Sequence, residues 1–513
     1  MNAHTPQQTQ RYLAVSGAIA GLLMVVFMLL LRNVSETRSL VELLAGATLQ
    51  LMPVGIFSFL LGLFQGLAKA LLLLSVILGM IAAGALFARL DRGPGMQMST
   101  AGRIRRILTL TVSLWIPAVI FALLATSFGT SIALTNQELI AIAWTLFLDF
   151  LVFAVAMHGS YLVISGAWAV PREVQADAPP ADLHRRQFLG WLGTGTVALA
   201  SLAYLGRFVS DARSGVIGGG SNTIPLPITP IPAFYTISKN FIDPTVELSN
   251  WALDIRGLVE QSVNLSYEQM LSLPSVEQTA TLICISNEVG GELISNAVWT
   301  GVKLSDVLAE AGIRPQAQKV AFFGTDGYND SFPMSKALEP TTIVAYRMNG
   351  ERLPDKHGFP ARLIVPGKYG IKNGKWLRRI ELVETFRGYW QERGWTEEAT
   401  IKTMSRFDIP AERAIVDPGL VDLGGVAFAG DRGIQDVQIS ADNGQSWQSV
   451  DSVEQIAPLS WVIWRTVWSP PGEGAYTLRV RAIDGEGTIQ TEETANPIPD
   501  GASGYHRVAI GVT

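Results

Sequence analysis

Thr279–Gly291 reads T-A-T-L-I-C-I-S-N-E-V-G-G and holds the only cysteine among 513 residues. Alternation and β-branching through Thr279–Ile285 predict a buried strand, and Ser286, Asn287 and the Gly290-Gly291 pair then turn the chain away from it. Cys284 therefore stands where a strand opens into a loop. Two readings fit a thiol in that place: a small buried hydrophobe, or a thiolate presented from a rigid strand end to a soft or high-valent metal. One cysteine excludes an internal disulfide, a four-cysteine iron–sulfur cluster, a Cys-rich zinc site and a c-type haem. Any redox cofactor must be one that a single thiolate can hold, and no haem or Fe–S centre is expected in this chain.

Upstream of this stretch the composition changes. A mean hydropathy of +0.28 averages two unlike parts, since the first 206 residues are dominated by long apolar runs and the rest has ordinary soluble composition. Tyr12–Leu31, Leu67–Phe87, Ile107–Phe128 and Leu139–Ile164 are each long enough to cross about 30 Å of hydrocarbon. Leu40–Leu63 is interrupted by Pro53 and glycines, and Phe188–Leu205 is a weaker final run. Residues 1–206 are read as a transmembrane helical region of five or six spans, with the lipid bilayer as partner. Arg89, Arg92, Arg103, Arg105 and Arg106 crowd one loop, whereas Gly129–Gln137 contains no Lys or Arg. The crowded loop is expected on the cytoplasmic side, which delivers everything after Gly206 to the outer face of a multi-pass cell-membrane protein. H-R-R-Q-F-L-G at 184–190 resembles the core of a twin-arginine export signal, and two arginines anchoring the inner end of a span explain the same residues. Asp149 and His158 are ionisable groups inside a predicted span, and their nine-residue separation puts them on opposite faces of a helix, roughly 13 Å apart along its axis.

Downstream, residues 207–233 form a Gly-rich and then Pro-rich tether. Strands and short helices alternate from there: Trp251–Val259 and Lys319–Phe323 read as strands, and Ser266-Tyr267-Glu268-Gln269 as a capping box that starts a helix stopped by Pro274. Leu304–Gly312 reads as a helix with Ser305 placed to cap it. After Pro410 the pattern becomes short alternating strands around Val437 and Ile439, Tyr476–Ala482 and Val508–Val512, which suggests an immunoglobulin-like β-sandwich over 401–513. A formal net charge of -5, with no basic stripe interleaved with aromatics, leaves no footprint for nucleic acid.

The block 344–383 contains M-N-G-E-R-L-P-D-K-H-G-F-P-A-R-L-I-V-P-G, followed by K-W-L at 375–377. Together with the cysteine strand and the sequel to Ile510, it resembles the sulfite oxidase superfamily of molybdopterin-dependent oxidoreductases, over about 280 residues from Ile231. That resemblance implies an α+β molybdopterin domain over 234–400 and a dimerisation-type domain over 401–513. It also implies a molybdenum cofactor held by Cys284 as metal ligand, and two-electron oxygen-atom transfer. His357, Arg362, Lys372 and Lys375 match the family's phosphate and pterin contacts, with Asn373 and Gly374 as a close-approach loop. Asp326, Asn287 and the Phe234–Asn240 segment, with Phe234, Tyr235 and Asn240, match further contacts. The bland competitors are surface charges at Arg362 and Lys375, a turn brace at Asp326 and a turn residue at His357.

Sulfite-oxidising members place an arginine after the first aromatic pair, where Ile237 and Ser238 stand here, and a tyrosine that Phe386–Gln391 lacks in register; Arg387 and Tyr389 are expected near the pocket instead. The substrate is therefore left open among small or protein-borne molecules, with sulfite oxidation proper, protein methionine-sulfoxide reduction and a tethered pterin-binding module without catalysis as alternatives. A separate electron-transfer partner, a cytochrome or membrane quinone, is expected, and a homodimer is implied.

Overall fold

The computed structural model describes residues 6–35, 39–53, 68–91, 99–129, 136–165, 198–206, 223–240 and 243–513, with isolated positions 37, 56, 60, 192, 195 and 196. The chain divides into two compact units, Met1–Ser214 and Gly215–Thr513. The Arg185-Arg186 segment, most of the last apolar run and the Gly-rich part of the tether lie outside the described residues.

The first unit is helical: α1 (Pro6–Ser35), α2 (Leu40–Leu51), α3 (Ala68–Leu90), α4 (Thr100–Gly129) and α5 (Asn136–Ile164). Among the described residues four helical segments are long and apolar enough to cross a membrane, Pro6–Arg32, Ala70–Leu90, Thr100–Leu124 and Leu139–Ile164. Among the described residues the run that opens at Leu40 gives a shorter apolar stretch, Leu40–Leu49, within α2, and most of 54–63 lies outside them. Close packing of α1 on α3 depends on Gly17 and Gly84, since a Cβ on either would strike the other's backbone. Arg106 donates to the carboxylate and the carbonyl of Asp91, joining the start of α4 to the end of α3. Asp149 and His158 are both buried on α5, and Asp149 Oδ1 and His158 Nε2 have no hydrogen-bond partner among the described residues.

The second unit begins with ten strands: β1 (Ala252–Gly257), β2 (Val263–Ser266), β3 (Ser275–Ile283), β4 (Ile294–Lys303), β5 (Lys319–Gly324), β6 (Asn329–Pro333), β7 (Ile343–Met348), β8 (Glu351–Arg352), β9 (Arg362–Ile364) and β10 (Leu377–Val383). They form one sheet in the order β2-β1-β10-β5-β6 and another in the order β3-β4-β7-β8, with β9 paired to β7. Only β1 and β10 run parallel within these sheets, and the chain between them supplies every strand of the second sheet. The helix Tyr267–Ser272 opens on the expected capping box, both of whose hydrogen bonds form. The helix read at 304–312 is shorter, Leu304–Ala309; Lys303 occupies its cap position without a side-chain bond, so Ser305 does not cap it.

Nine further strands follow: β11 (Met404–Ile409), β12 (Ile415–Val416), β13 (Val421–Phe428), β14 (Ile434–Ser440), β15 (Gln448–Ser449), β16 (Ser452–Glu454), β17 (Val462–Trp468), β18 (Gly474–Asp484) and β19 (His506–Val512). They make two sheets, β11-β13-β17-β16 and β12-β19-β18-β14-β15. Both sheets send side chains such as Phe407, Leu423, Trp464, Val437, Leu478 and Val508 into one shared core, which is why alternation was visible in these segments. This C-terminal part also grips the first: Thr281 N–H donates to Leu459 O at 3.0 Å, and Trp461 N–H donates to Thr281 Oγ1 at 2.8 Å. The strand that leads to Cys284 is therefore held from outside its own sheet.

Candidate cofactor site

Cys284 is the first residue after β3, and its backbone still pairs across the hairpin, N–H to Leu293 O at 2.9 Å. Asn287 closes the loop: its N–H reaches Cys284 O at 3.0 Å, and its Oδ1 accepts from Leu293 N–H at 2.7 Å. The far side of the loop is clamped by the C-terminal part. Arg406 donates to Gly291 O, and the His506 ring lies so close to Gly290 that a Cβ there would overlap it. His506 Nδ1 accepts the Phe407 N–H at 3.0 Å. The sulfur is thus delivered to a fixed point by a loop with little freedom.

That point is the wall of a cleft lined by the Phe234–Lys239 segment, the Cys284 loop, the His357 turn and the turn at 370–376. Phe234 and Tyr235 stack on each other 5.5 Å apart, and Phe234 meets the edges of both Trp299 and His357. Gly370 brings the next turn against the strand end: a Cβ there would lie 3.1 Å from Tyr235 Oη and 3.8 Å from Cys284 Cα. Across the cleft, Gly358 takes a left-handed φ of +111° after the His357 turn, and a Cβ on it would meet Lys375 Cβ at 2.9 Å and Arg362 Cβ at 3.2 Å. Arg362 and Lys375 thus converge on the glycine that follows His357.

Their electrostatics is that of an anion site. Arg362 is buried, donates to His357 O at 3.0 Å and Asn373 O at 3.2 Å, and its Nε has no partner among the described residues. Burial pulls Arg362 down to about 10, still cationic at neutral pH. Burial, and then the nearby Arg362 and Lys375, hold His357 down to about 4, so its imidazole is neutral. Lys375 donates to Lys356 O at 3.1 Å and lies over the Trp376 ring. Burial also pushes the Cys284 thiol up, against hydrogen bonds from Ser286 and Ile285, so the unliganded sulfur is kept protonated.

The other expected site residues fall into two groups. Asp326 lines the cleft and organises its rim, accepting from Tyr328 N–H at 2.9 Å and from Asn240 Nδ2 at 2.9 Å. Asn373 lines it as well, but its amide is committed to the loop, accepting from Val365 N–H at 2.7 Å and donating to Lys368 O and Tyr369 O. Lys372 does not reach the cleft. It is fully buried, 2.7 Å from Asp330 Oδ1 and 2.9 Å from Ser331 O, because a lone ammonium in an apolar interior takes the nearest carboxylate. Arg387 donates back to Gln391 O at 3.0 Å, and Tyr389 packs between Tyr328, Trp390 and Arg393; neither is on the cleft wall. Lys239, Ser286, Trp390 and Trp395 line the cleft and were not singled out from the sequence. The Trp390 and Trp395 rings stack 4.2 Å apart in a loop, where no periodicity announces which side chains turn inward.

Residues 240–390 match the oxidoreductase molybdopterin binding domain. The chain is 31% identical over 278 residues to sulfite oxidase of Arabidopsis thaliana, covering 44% of this chain and 71% of that one. The chain belongs to the sulfite oxidase family of molybdopterin oxidoreductases. Mitochondrial sulfite oxidase of Homo sapiens is 31% identical over 342 residues, 56% of this chain, and the match spans 62% of the human protein's length. An uncharacterized oxidoreductase of Bacillus subtilis, YuiH, is 30% identical over 193 residues, 37% of this chain and 92% of its own. Among solved structures, the sulfane dehydrogenase SoxCD of Paracoccus pantotrophus superposes with a TM-score of 0.51 at 24% identity, over 56% of this chain and 82% of that one, which shows a shared fold.

Membership of this family implies the molybdenum cofactor, and the cleft fits such a group. The sulfur on one wall, the orphaned Nε of buried Arg362 and the approach of Arg362 and Lys375 to the His357 turn fit a phosphate-bearing pterin.

Proposed function

We propose that this chain is a membrane-anchored molybdenum-cofactor oxidoreductase that carries out two-electron oxygen-atom transfer on a small or protein-borne substrate at the outer face of the membrane. The observation that carries the reading is Cys284 on the same cleft wall system as Arg362, His357 and Lys375. In this reading Cys284 is the protein ligand to the metal. When bound, the cofactor supplies reversible transfer of an oxygen atom with a two-electron change at the metal.

The residues of this chain do the rest. Arg362 and Lys375 supply two positive charges for the terminal phosphate, while neutral His357 supplies a hydrogen-bonding ring without adding a third. Phe234 and Tyr235, stacked on each other, share the cleft lining with Cys284, and the stacked Trp390–Trp395 pair adds apolar surface to it. Burial raises the Tyr235 phenol, so it stays neutral beside the sulfur.

A sulfite-oxidising site calls for free cations at the mouth. Here Ile237 and Ser238 line that position, and the neighbouring Lys239 donates to Asp326 O at 2.9 Å and to Asn240 Oδ1 at 3.0 Å. This arrangement supports a substrate less charged than sulfite.

Arginines Arg89, Arg103, Arg105 and Arg106 cluster at the facing ends of α3 and α4. That asymmetry supports the orientation with the cofactor domain outside. The two C-terminal sheets around one core support the immunoglobulin-like reading; a homodimer through this domain and a separate electron-transfer partner complete the proposal. Metal analysis of the purified full chain tests the proposal: about one molybdenum per chain, lost in Cys284→Ser, is expected, and a metal-free wild type sinks it. Parallel assays of sulfite oxidation with an artificial acceptor and sulfoxide reduction with an artificial donor then assign the substrate.

A further inference from the structure

The surroundings of the Cys284 sulfur contain a donor that the ligation itself does not call for. Ser286 Oγ lies 2.9 Å from Sγ, and the sulfur is the only hydrogen-bond partner of that hydroxyl among the described residues. The hydroxyl is not spent on capping the turn, a task taken by Asn287, whose amide oxygen spans the loop to Leu293. Nor is its distance to sulfur free to drift, since Leu293, Arg406 and His506 hold the loop from three sides.

A free thiol and a hydroxyl are each able to donate to the other, but a metal-bound thiolate has no proton, so in the liganded state the hydroxyl is the donor. Hydrogen bonds to ligating sulfurs withdraw electron density and raise the reduction potential of the centre they serve. We propose that Ser286 is a positioning residue for the metal's electronics: its O–H···S bond limits the electron density that Cys284 donates and holds the reduction potential of the site up. This rests on the molybdenum reading above, and it adds a residue that Cys284 ligation alone does not require.

The test compares full-length protein carrying Ser286, Ser286→Thr, Ser286→Val and Ser286→Ala by potentiometric titration, following the one-electron intermediate oxidation state of the metal by electron paramagnetic resonance. Thr and Val have the same shape and differ in the hydroxyl. The Val and Ala variants are expected to keep one metal per chain and to shift each one-electron equilibrium about tenfold toward the oxidised state, about 59 mV lower; Thr is expected to restore the wild-type value. Equal potentials for Thr and Val overturn the proposal, as does loss of metal from both Val and Ala, which makes the serine a binding residue instead. If Ala alone loses metal, the Thr–Val pair decides. A wild type that contains no molybdenum fails at the earlier step and is told apart by metal analysis alone.

Discussion

Lys372→Met separates two roles for a lysine that the sequence motif places among the cofactor contacts. Lys372 and Asp330 are both fully buried, 2.7 Å apart, and Asp330 also accepts from Ser331 N–H at 2.7 Å, Gln391 Nε2 at 3.2 Å and Tyr328 Oη at 3.3 Å. Methionine fills most of the lysine's volume but leaves a carboxylate in an apolar interior without its counter-charge, a loss of about 3–5 kcal/mol. Burial raises the Asp330 carboxyl already, with Lys372 opposing that shift. Removing the lysine lifts it further, so the penalty is largest at high pH and shrinks as falling pH protonates Asp330. The double variant Lys372→Met/Asp330→Asn removes both charges and is expected to recover to within about 1–2 kcal/mol of wild type. Urea unfolding of the detergent-solubilised full chain, followed by tryptophan fluorescence at several pH values with metal content measured alongside, reads all three quantities. A Lys372→Met protein as stable as wild type but depleted of cofactor, and not rescued by Asp330→Asn, would refute the reasoning and put the ammonium in the cofactor site.

Gly358→Ala is expected to cost about 1–3 kcal/mol and to lower metal occupancy, because its φ of +111° disfavours a side chain and a Cβ would press on Lys375 and Arg362; occupancy and melting temperature unchanged from wild type would contradict the convergence of the basic residues. His506 is held down to about 4 by burial and then by Arg406, against 6.5 when unfolded. The unfolded chain therefore binds the proton first, and stability is lost as pH falls from 6.5 toward 4, by up to about 3 kcal/mol. His506→Gln should flatten that part of the stability–pH curve, and an unaltered slope there would discount the clamp. Arg406→Ala is expected to speed amide exchange of Asn287–Glu292 by about tenfold, since Gly291 O loses its donor; protection equal to wild type would show that the loop stands without it.

Reading the chain gave the strand before Cys284 from its β-branched and apolar run, whose last four residues are buried on both faces, although the strand spans Ser275–Ile283 and stops before Cys284 where the reading carried it to Ile285. It gave the capping box at Ser266 because that motif is satisfied within four residues. Ser305 misled, since a good cap residue in the right window does not set the helix start when the preceding strand runs directly into it. The cleft residues on β9 and in the His357 turn were legible only through the motif that spans them, as loops carry no periodicity from which to infer direction.

Taken alone, the amino-acid order determined the apolar runs, the uniqueness of one thiol, the turn that follows it and the family to which the soluble half belongs. Each is a matter of local pattern or of covalent sequence. Tertiary structure decided which basic side chains meet: Arg362 and Lys375 converge around Gly358, while Lys372 is captured by a carboxylate 42 residues away. It also decided that a separate pair of sheets, through Leu459, Arg406 and His506, fixes the loop bearing the sulfur. The physical reason is that a buried charge or an unpaired backbone group takes whichever partner the packed fold brings within about 3 Å, and sequence spacing carries no record of that distance.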